Sequence, residues 1–333
     1  MNPMATDWLA RLVHDESAFF ADHWRQAPVV LRPHDPPVGV LTVADLDGVL
    51  DAGLLTAPYA QLVHEHGTVP AERFCAPRVV LGEIADGYVD AEAVRRIVQE
   101  ERVTLLFRYV DQWHAGVRAL TDTLAERFAR QVEAFCFLTP PGTTGRPVHR
   151  DDADVLAVQL HGAKRWQVYG GPVDGNWQPE REQGNPGPLL LDAVLRPGEV
   201  LYVPRGYAHR ASAVRADSVR AVGEDFPDGE SSGGESSGEE SSVHLSLTVR
   251  EAGTAQLYAL SSALLLAESG DLPARPTGDA ALTDTAADLI AAFRRTLDDL
   301  TPAELVDLAR GAMRAQRTEP APVRTLGALV RGV

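Results

Sequence analysis

Residues 139–169 read TPPGTTGRPVHRDDADVLAVQLHGAKRWQVY, and this stretch decides the fold. The run 155–160 is apolar with little alternation, as in a strand covered on both faces, and 165–169 is a second short strand. Gly162-Ala163 between them predicts a hairpin turn. Alternation then sets Lys164, Trp166 and Val168 on one face and Arg165 and Gln167 on the other. Upstream, His149 and Asp151 stand two residues apart, a spacing that aims an imidazole and a carboxylate from the same side of a strand. A third donor, His209, lies in LRPGEVLYVPRGYAHR, residues 195–210. Two histidines and one carboxylate on one face of an octahedral ion leave the opposite positions open, the arrangement of non-haem Fe(II) oxygenases. Taken alone, the tripeptide 149–151 reads better as a polar surface turn, so its weight depends on the text around it.

Outward from this stretch, short apolar runs punctuated by Pro and Gly continue from 134 to 250: 135–138, 155–160, 165–169, 200–203 and 243–249, with no long helix. The pattern predicts a mainly β protein with added helices. Its core is a double-stranded β-helix, two packed antiparallel sheets with the site between them. Residues 1–133 form an N-terminal α/β elaboration, helical over 7–24, extended over 28–32 and mixed over 44–130, with a strand at 103–107. After Gly253 the period becomes helical: Leu257, Leu260 and Leu264 mark one helix ending at Gly270, and Leu289 and Phe293 mark a second. Thr301-Pro302-Ala303-Glu304 is a capping box, so 253–333 is a helical region.

Lys164 is the single lysine among 31 basic residues. Arginine bias in a chain rich in Ala, Gly and Val is what a GC-rich genome produces, so a retained lysine marks a place where the exchange is not neutral. A cation on an apolar face calls for an anionic partner, and a dicarboxylate cosubstrate supplies one. A hairpin-edge lysine with its ammonium in water fits the spacing equally well.

The net charge of −16 argues against a nucleic-acid partner, which needs a basic stripe. Seven acids and no base fall in residues 223–242, GEDFPDGESSGGESSGEESS, which predicts a disordered acidic loop between two strands. Two cysteines, Cys75 and Cys136, are too few for a disulfide framework, and neither a signal-peptide core nor a long uninterrupted apolar run is present. A cytoplasmic protein without a membrane partner is expected.

The segment 139–169, the run LRPGEVLYVPRGYAHRA and the strand SVHLSLTV together resemble the JmjC branch of the cupin superfamily, and within it the ribosomal oxygenases, which hydroxylate side chains of ribosomal proteins. By that resemblance His149, Asp151 and His209 match the iron ligands, and Lys164 matches the basic residue that holds the distal carboxylate of 2-oxoglutarate. The implied cofactors are Fe(II), 2-oxoglutarate and O2. His244 in the last core strand is either a neighbour of the cosubstrate or iron, or a core histidine bonded to backbone. Phe135 and Phe137 stand where relatives commonly carry Asn and Tyr, so a hydroxyl near the cosubstrate carboxylate is missing, or both rings are simply core. Arg150 points away from the metal by alternation, and Asp152 and Asp154 are expected to cap the bend after the first ligand strand.

The resemblance also implies a homodimer through the C-terminal helices. The family's winged-helix module does not fit in the roughly thirty residues after Thr301, which weakens the transfer of a ribosomal substrate more than that of the chemistry. Three classes stand. They are a hydroxylase of a protein or peptide side chain with a basic partner, a hydroxylase of a biosynthetic peptide or small metabolite, and a non-catalytic cupin binding module.

Overall fold

The structure is a computed structural model that describes residues 7–181, 184–214, 240–267 and 272–315. Contacts divide the chain into two units, Met1–Arg127 with Val132–Arg250 and Phe128–Gln131 with Glu251–Val333. The first unit is built on two large antiparallel sheets. The larger has the order β1 (Val29–Leu31), β13 (Val200–Val203), β9 (Ala153–His161), β15 (Ser242–Arg250), β7 (Val132–Thr139), β6 (Thr104–Phe107), β2 (Ala60–His64) and β3 (Gly67–Thr68). The smaller has the order β11 (Glu180–Arg181), β8 (His149–Arg150), β14 (His209–Ala213), β10 (Lys164–Tyr169) and β12 (Leu189–Leu195). A separate hairpin pairs β4 (Cys75–Val80) with β5 (Glu83–Val89). Val155, Ala157, Leu201 and Val203 of the larger sheet pack with Trp166, Val168 and Leu195 of the smaller one, so the core lies between the sheets. This is the double-stranded β-helix expected from the sequence.

Strands β9 and β15 are interior to their sheet and buried along almost their whole length, which is why their runs are apolar with little alternation. Strand β10 alternates as predicted: Lys164, Trp166 and Val168 are buried, while Arg165 is exposed and Gln167 half-buried. The predicted hairpin is not formed. Strand β10 pairs with β12 and β14, and β9 with β13 and β15, so Gly162-Ala163 is a corner that carries the chain from one sheet to the other. Gly162 has φ +61°, and a Cβ there would overlap the carbonyl oxygen of Ser241. Only glycine suits the corner.

Strands β1, β2, β3 and β6 come from before residue 133 yet belong to the same sheet as β7 and β9. The expected helix over 7–24 is broken at His14 (φ 64°), after which the Asp15 side chain accepts the Ala18 N–H and starts a new turn. Asp154 does not cap a bend. It is fully buried, accepting the Tyr202 hydroxyl at 2.8 Å and the Arg205 N–H at 3.1 Å and pairing with Arg25 at 3.2 Å. Asp152 pairs with Arg205 at 2.5 Å, and the Gly206 N–H donates to the Asp151 carbonyl at 3.1 Å. The turn 204–207 before β14 is thereby tied to the segment after β8.

The second unit holds three helices, Thr254–Ala267, Asp279–Asp298 and Pro302–Ala315. Thr301 and Glu304 form the predicted capping box, the Thr301 N–H donating to Glu304 at 2.9 Å. Buried Glu251 accepts Arg130 at 2.8 Å and Arg310 at 2.9 Å. The helix end expected at Gly270 and residues 223–239 of the acidic loop lie outside the described residues.

Candidate functional site

Strand pairing places the first two donors side by side. His149 of β8 is the register partner of His209 of β14, and their ring centroids are 4.3 Å apart. Asp151 follows β8, its carboxylate 3.8 Å from Nε2 of His149 and 3.4 Å from Nε2 of His209. One donor atom from each residue falls within 4.8 Å of the others. The Nδ1–H of His149 donates to the Pro147 carbonyl at 2.8 Å, and that of His209 to the Tyr207 carbonyl at 3.0 Å. A carbonyl only accepts, so Nδ1 carries the proton and each Nε2 offers its lone pair to the shared centre.

Burial, with His209 and Arg146 adding to it, pushes the His149 pKa down to about 3 against the pull of Asp151. Burial alone would raise the Asp151 carboxyl. The contact from His209 and the charges of His149, His209 and Arg146 outweigh it and hold the carboxyl below the usual range. A neutral imidazole beside an ionised carboxylate is what a divalent cation binds. Two nitrogens and one oxygen on one side suit a first-row transition ion with open positions.

Lys164 lies deeper in the same cavity. It is 2% exposed, so the alternative of an ammonium in water does not hold. Its Nζ donates to the Thr139 hydroxyl at 2.9 Å and lies 3.3 Å from Nδ1 of His244. Among the described residues no carboxylate pairs with it. Burial pushes its pKa down to about 7, although Cys136 nearby acts to raise it. The expected lack of a hydroxyl here is corrected, because Thr139 supplies one and Thr104 a second, 3.2 Å further on. Phe137 lines the cavity, stacked on His244 at 4.8 Å with its ring centroid 5.9 Å from the ammonium. The His244 ring faces Lys164, its Nδ1 3.3 Å from the Nζ, and burial, then Lys164, holds its pKa well below the ordinary value.

Trp166 also lines the cavity, between His209 and His244, and its buried indole nitrogen has no hydrogen-bond partner among the described residues. An orphan donor and an unpaired ammonium in one cavity fit a carboxylate-bearing guest. The cavity, about 570 Å³, extends from Lys164 past the triad to Gln61, Arg108, Phe135, Arg146 and Arg250. Arg150 directs its guanidinium to the carbonyls of Gly206 at 2.6 Å and Gly170 at 3.0 Å. Thr104, Thr139, Arg108 and Arg146 escaped the sequence reading. Thr139 could have been found by continuing the alternation of Phe135 and Phe137 along β7.

Residues 107–228 match the family model of the JmjC domain. The chain is 31% identical over 219 residues to ribosomal oxygenase 1 of Gallus gallus, covering 61% of this chain and 33% of that protein. Over 104 residues it is 39% identical to the bifunctional lysine-specific demethylase and histidyl-hydroxylase NO66 of Drosophila mojavensis, covering 28% of this chain and 11% of the relative. The chain thus spans about a third of the length of the first relative and much less of the second. Among solved structures it is similar to YcfD, a ribosomal oxygenase from Escherichia coli in complex with cobalt and 2-oxoglutarate. The TM-score is 0.55 at 20% identity, over 95% of this chain and 76% of that one. That likeness shows the fold, the two facing sheets described above.

Proposed function

We propose that this protein is an Fe(II)- and 2-oxoglutarate-dependent oxygenase that hydroxylates an amino-acid side chain in a protein or peptide. The observation that carries the reading is the joint placement, in one cavity, of three converging donors (His149, Asp151 and His209) and a buried lysine with no carboxylate partner among the described residues. The relatives, a ribosomal oxygenase and a histidyl-hydroxylase, and the cobalt and 2-oxoglutarate of the E. coli structure point the same way. A three-ligand set with open positions is of no use to a non-catalytic binding module.

His149, Asp151 and His209 would hold Fe(II), which with 2-oxoglutarate and O2 would supply oxidation of a C–H bond to C–OH, one oxygen atom going to the product and the other to succinate, with CO2 released. The protein's share is placement. Lys164 and the Thr139 hydroxyl bind the distal carboxylate, the Trp166 N–H is free to donate to the same guest, and Phe137 and His244 wall that end against water. Pro147 and Tyr207 hold the two imidazoles in the ligating tautomer.

The net charge of −16 favours a basic polypeptide by long-range attraction and disfavours nucleic acid. No helix among the described residues is long and apolar enough to cross a membrane, and the free thiols of Cys75 and Cys136 suit a reducing cytoplasm. The deciding experiment incubates the Fe(II)-loaded protein with ribosomal proteins, short peptides and free amino acids, and reads masses. A one-oxygen gain on a polypeptide is expected. A gain confined to free metabolites would replace the polypeptide by the small-molecule reading.

Division of labour is part of the proposal: residues 1–133 and 134–250 build the catalytic part, and 253–333 serve dimerisation. In its support, Tyr258, Leu266, Leu282, Ile290 and Leu297 of the C-terminal helices are exposed within the chain. Sedimentation should give a species of twice the 35.9 kDa chain mass, and a monomer at all concentrations would remove this part.

A further inference from the structure

The protein is acidic overall, yet the charged residues that line its cavity are mostly basic: Arg108, Arg146, Arg150, Lys164 and Arg250 against Asp151 and Asp152 among the described residues. Most of these have an assignment. Arg250 pairs with Glu133 at 3.0 Å, Asp152 with Arg205, and Arg150 with backbone carbonyls. Lys164 serves the cosubstrate, Asp151 the metal, and Arg146 lies 3.7 Å from Asp151. Arg108 is different. Among the described residues no carboxylate pairs with it, and its guanidinium lies 5.5 Å from the centre of the Tyr109 ring, which packs 5.2 Å from the Phe135 ring.

The strand registers say where along the cavity Arg108 stands. Phe107 is the partner of Cys136, so the next residue of the chain, Arg108, falls beside Phe135, four residues along β7 from the Thr139 that touches Lys164. On the facing sheet, Val168, the partner of His209, is likewise four residues along β10 from Lys164. At about 3.3 Å per residue, both steps come to roughly 13 Å. Arg108 therefore stands at the depth of the metal ligands, on the opposite wall, where the reacting carbon of a substrate must come.

We infer that the substrate presents a carboxylate close to the carbon that is hydroxylated, and that Arg108 binds it. The inference rests on the proposed oxygenase reading and names the substrate's chemistry. A half-buried guanidinium held against Tyr109 is preorganised for a bidentate carboxylate, and the positive potential of Arg146 acts in the same sense. A lysine, methyl-lysine or arginine side chain would bring a further cation into a cavity that already holds Arg108 and Arg146, and among the described lining residues it would meet only Asp151 of the metal set and Asp152, which Arg205 already pairs. The acidic chain attracts basic partners from a distance, whereas the residue that enters the cavity meets arginine.

The test uses the whole chain loaded with Mn(II), which binds without turnover, and 2-oxoglutarate. Binding is measured by calorimetry for N-acetyl, N-methylamide derivatives of aspartate, asparagine and lysine, and for short peptides with the same three residues at the centre. Aspartate should bind at least about tenfold tighter than its isostere asparagine, with lysine weakest, since the difference is one charge-assisted hydrogen-bond pair. Arg108→Gln should remove the aspartate preference and Arg108→Lys retain part of it. A preference in the amides as well as the peptides assigns the carboxylate to a small substrate, and one in the peptides alone to a polypeptide. Equal affinities for aspartate and asparagine, a lysine preference, or no binding of the aspartate probes overturns the inference. Succinate formation by the Fe(II)-loaded wild type is read separately. Its absence removes the oxygenase reading, whereas succinate with a flat probe series removes only the carboxylate substrate.

Discussion

Succinate formation from 2-oxoglutarate is expected to fall to background in His149→Ala, Asp151→Ala and His209→Ala. Each change takes one of three donors from a set whose atoms lie within 4.8 Å of one another, and no other His, Cys, Asp or Glu among the described residues joins that cluster. Loss of a partner that merely orients a ligand costs a metal site about 10- to 100-fold in affinity or activity, so loss of a ligand itself should exceed about 100-fold. The fold should survive, because the alanine variants open space toward the cavity and leave the pairing of β8 with β14 to backbone hydrogen bonds. Metal content, circular dichroism and succinate are measured together. Undiminished succinate in a folded variant would show that the cluster is not the metal site.

The readability of this site in the sequence followed the range of the physics behind each residue. His149 and Asp151 could be placed on one side because strand alternation is local, and Lys164 could be put on the buried face of β10 for the same reason. What depended on partners distant in the chain was not legible. Gly162-Ala163 has the same turn chemistry in a hairpin and in a sheet-to-sheet corner, and only the pairing of β10 with β12 and β14 separates them. Asp154 looked like a local cap because short acids after a strand often are, but its partners, Arg25, Tyr202 and Arg205, lie 48 or more residues away. Thr139 meets Lys164 from β7 and Thr104 meets Thr139 from β6, and Arg108 reaches the depth of the triad through the registers of β6 on β7 and of β10 on β14. The strands β12 and β14 also went unrecognised: 209–213 mixes polar and small residues, and 189–195, apolar but for Asp192, is an edge strand that the sheet leaves half exposed.

Lys164→Ala is expected to raise the 2-oxoglutarate concentration needed for half-maximal turnover at least about tenfold, the scale of one charge-assisted hydrogen bond lost in a buried site. The pH dependence makes the assignment specific. Burial holds the free lysine's pKa down to about 7, while the groups that face it do not titrate nearby: the Cys136 thiol is pushed up to about 12 by the same burial, and His244 stays neutral. A bound dicarboxylate favours the ammonium, so above pH 7 binding must take up a proton from solvent. The apparent affinity for 2-oxoglutarate should therefore fall as pH rises through 7 in the wild type. In Lys164→Ala the slope should vanish along with the affinity. In Lys164→Arg, whose guanidinium stays charged throughout, the slope should vanish while part of the affinity remains. Binding of 2-oxoglutarate to the Mn(II)-loaded protein, measured from pH 6 to 9, reads all three variants without catalysis. A wild-type affinity that rises with pH, or an alanine variant that keeps both slope and affinity, would place this lysine outside the cosubstrate site.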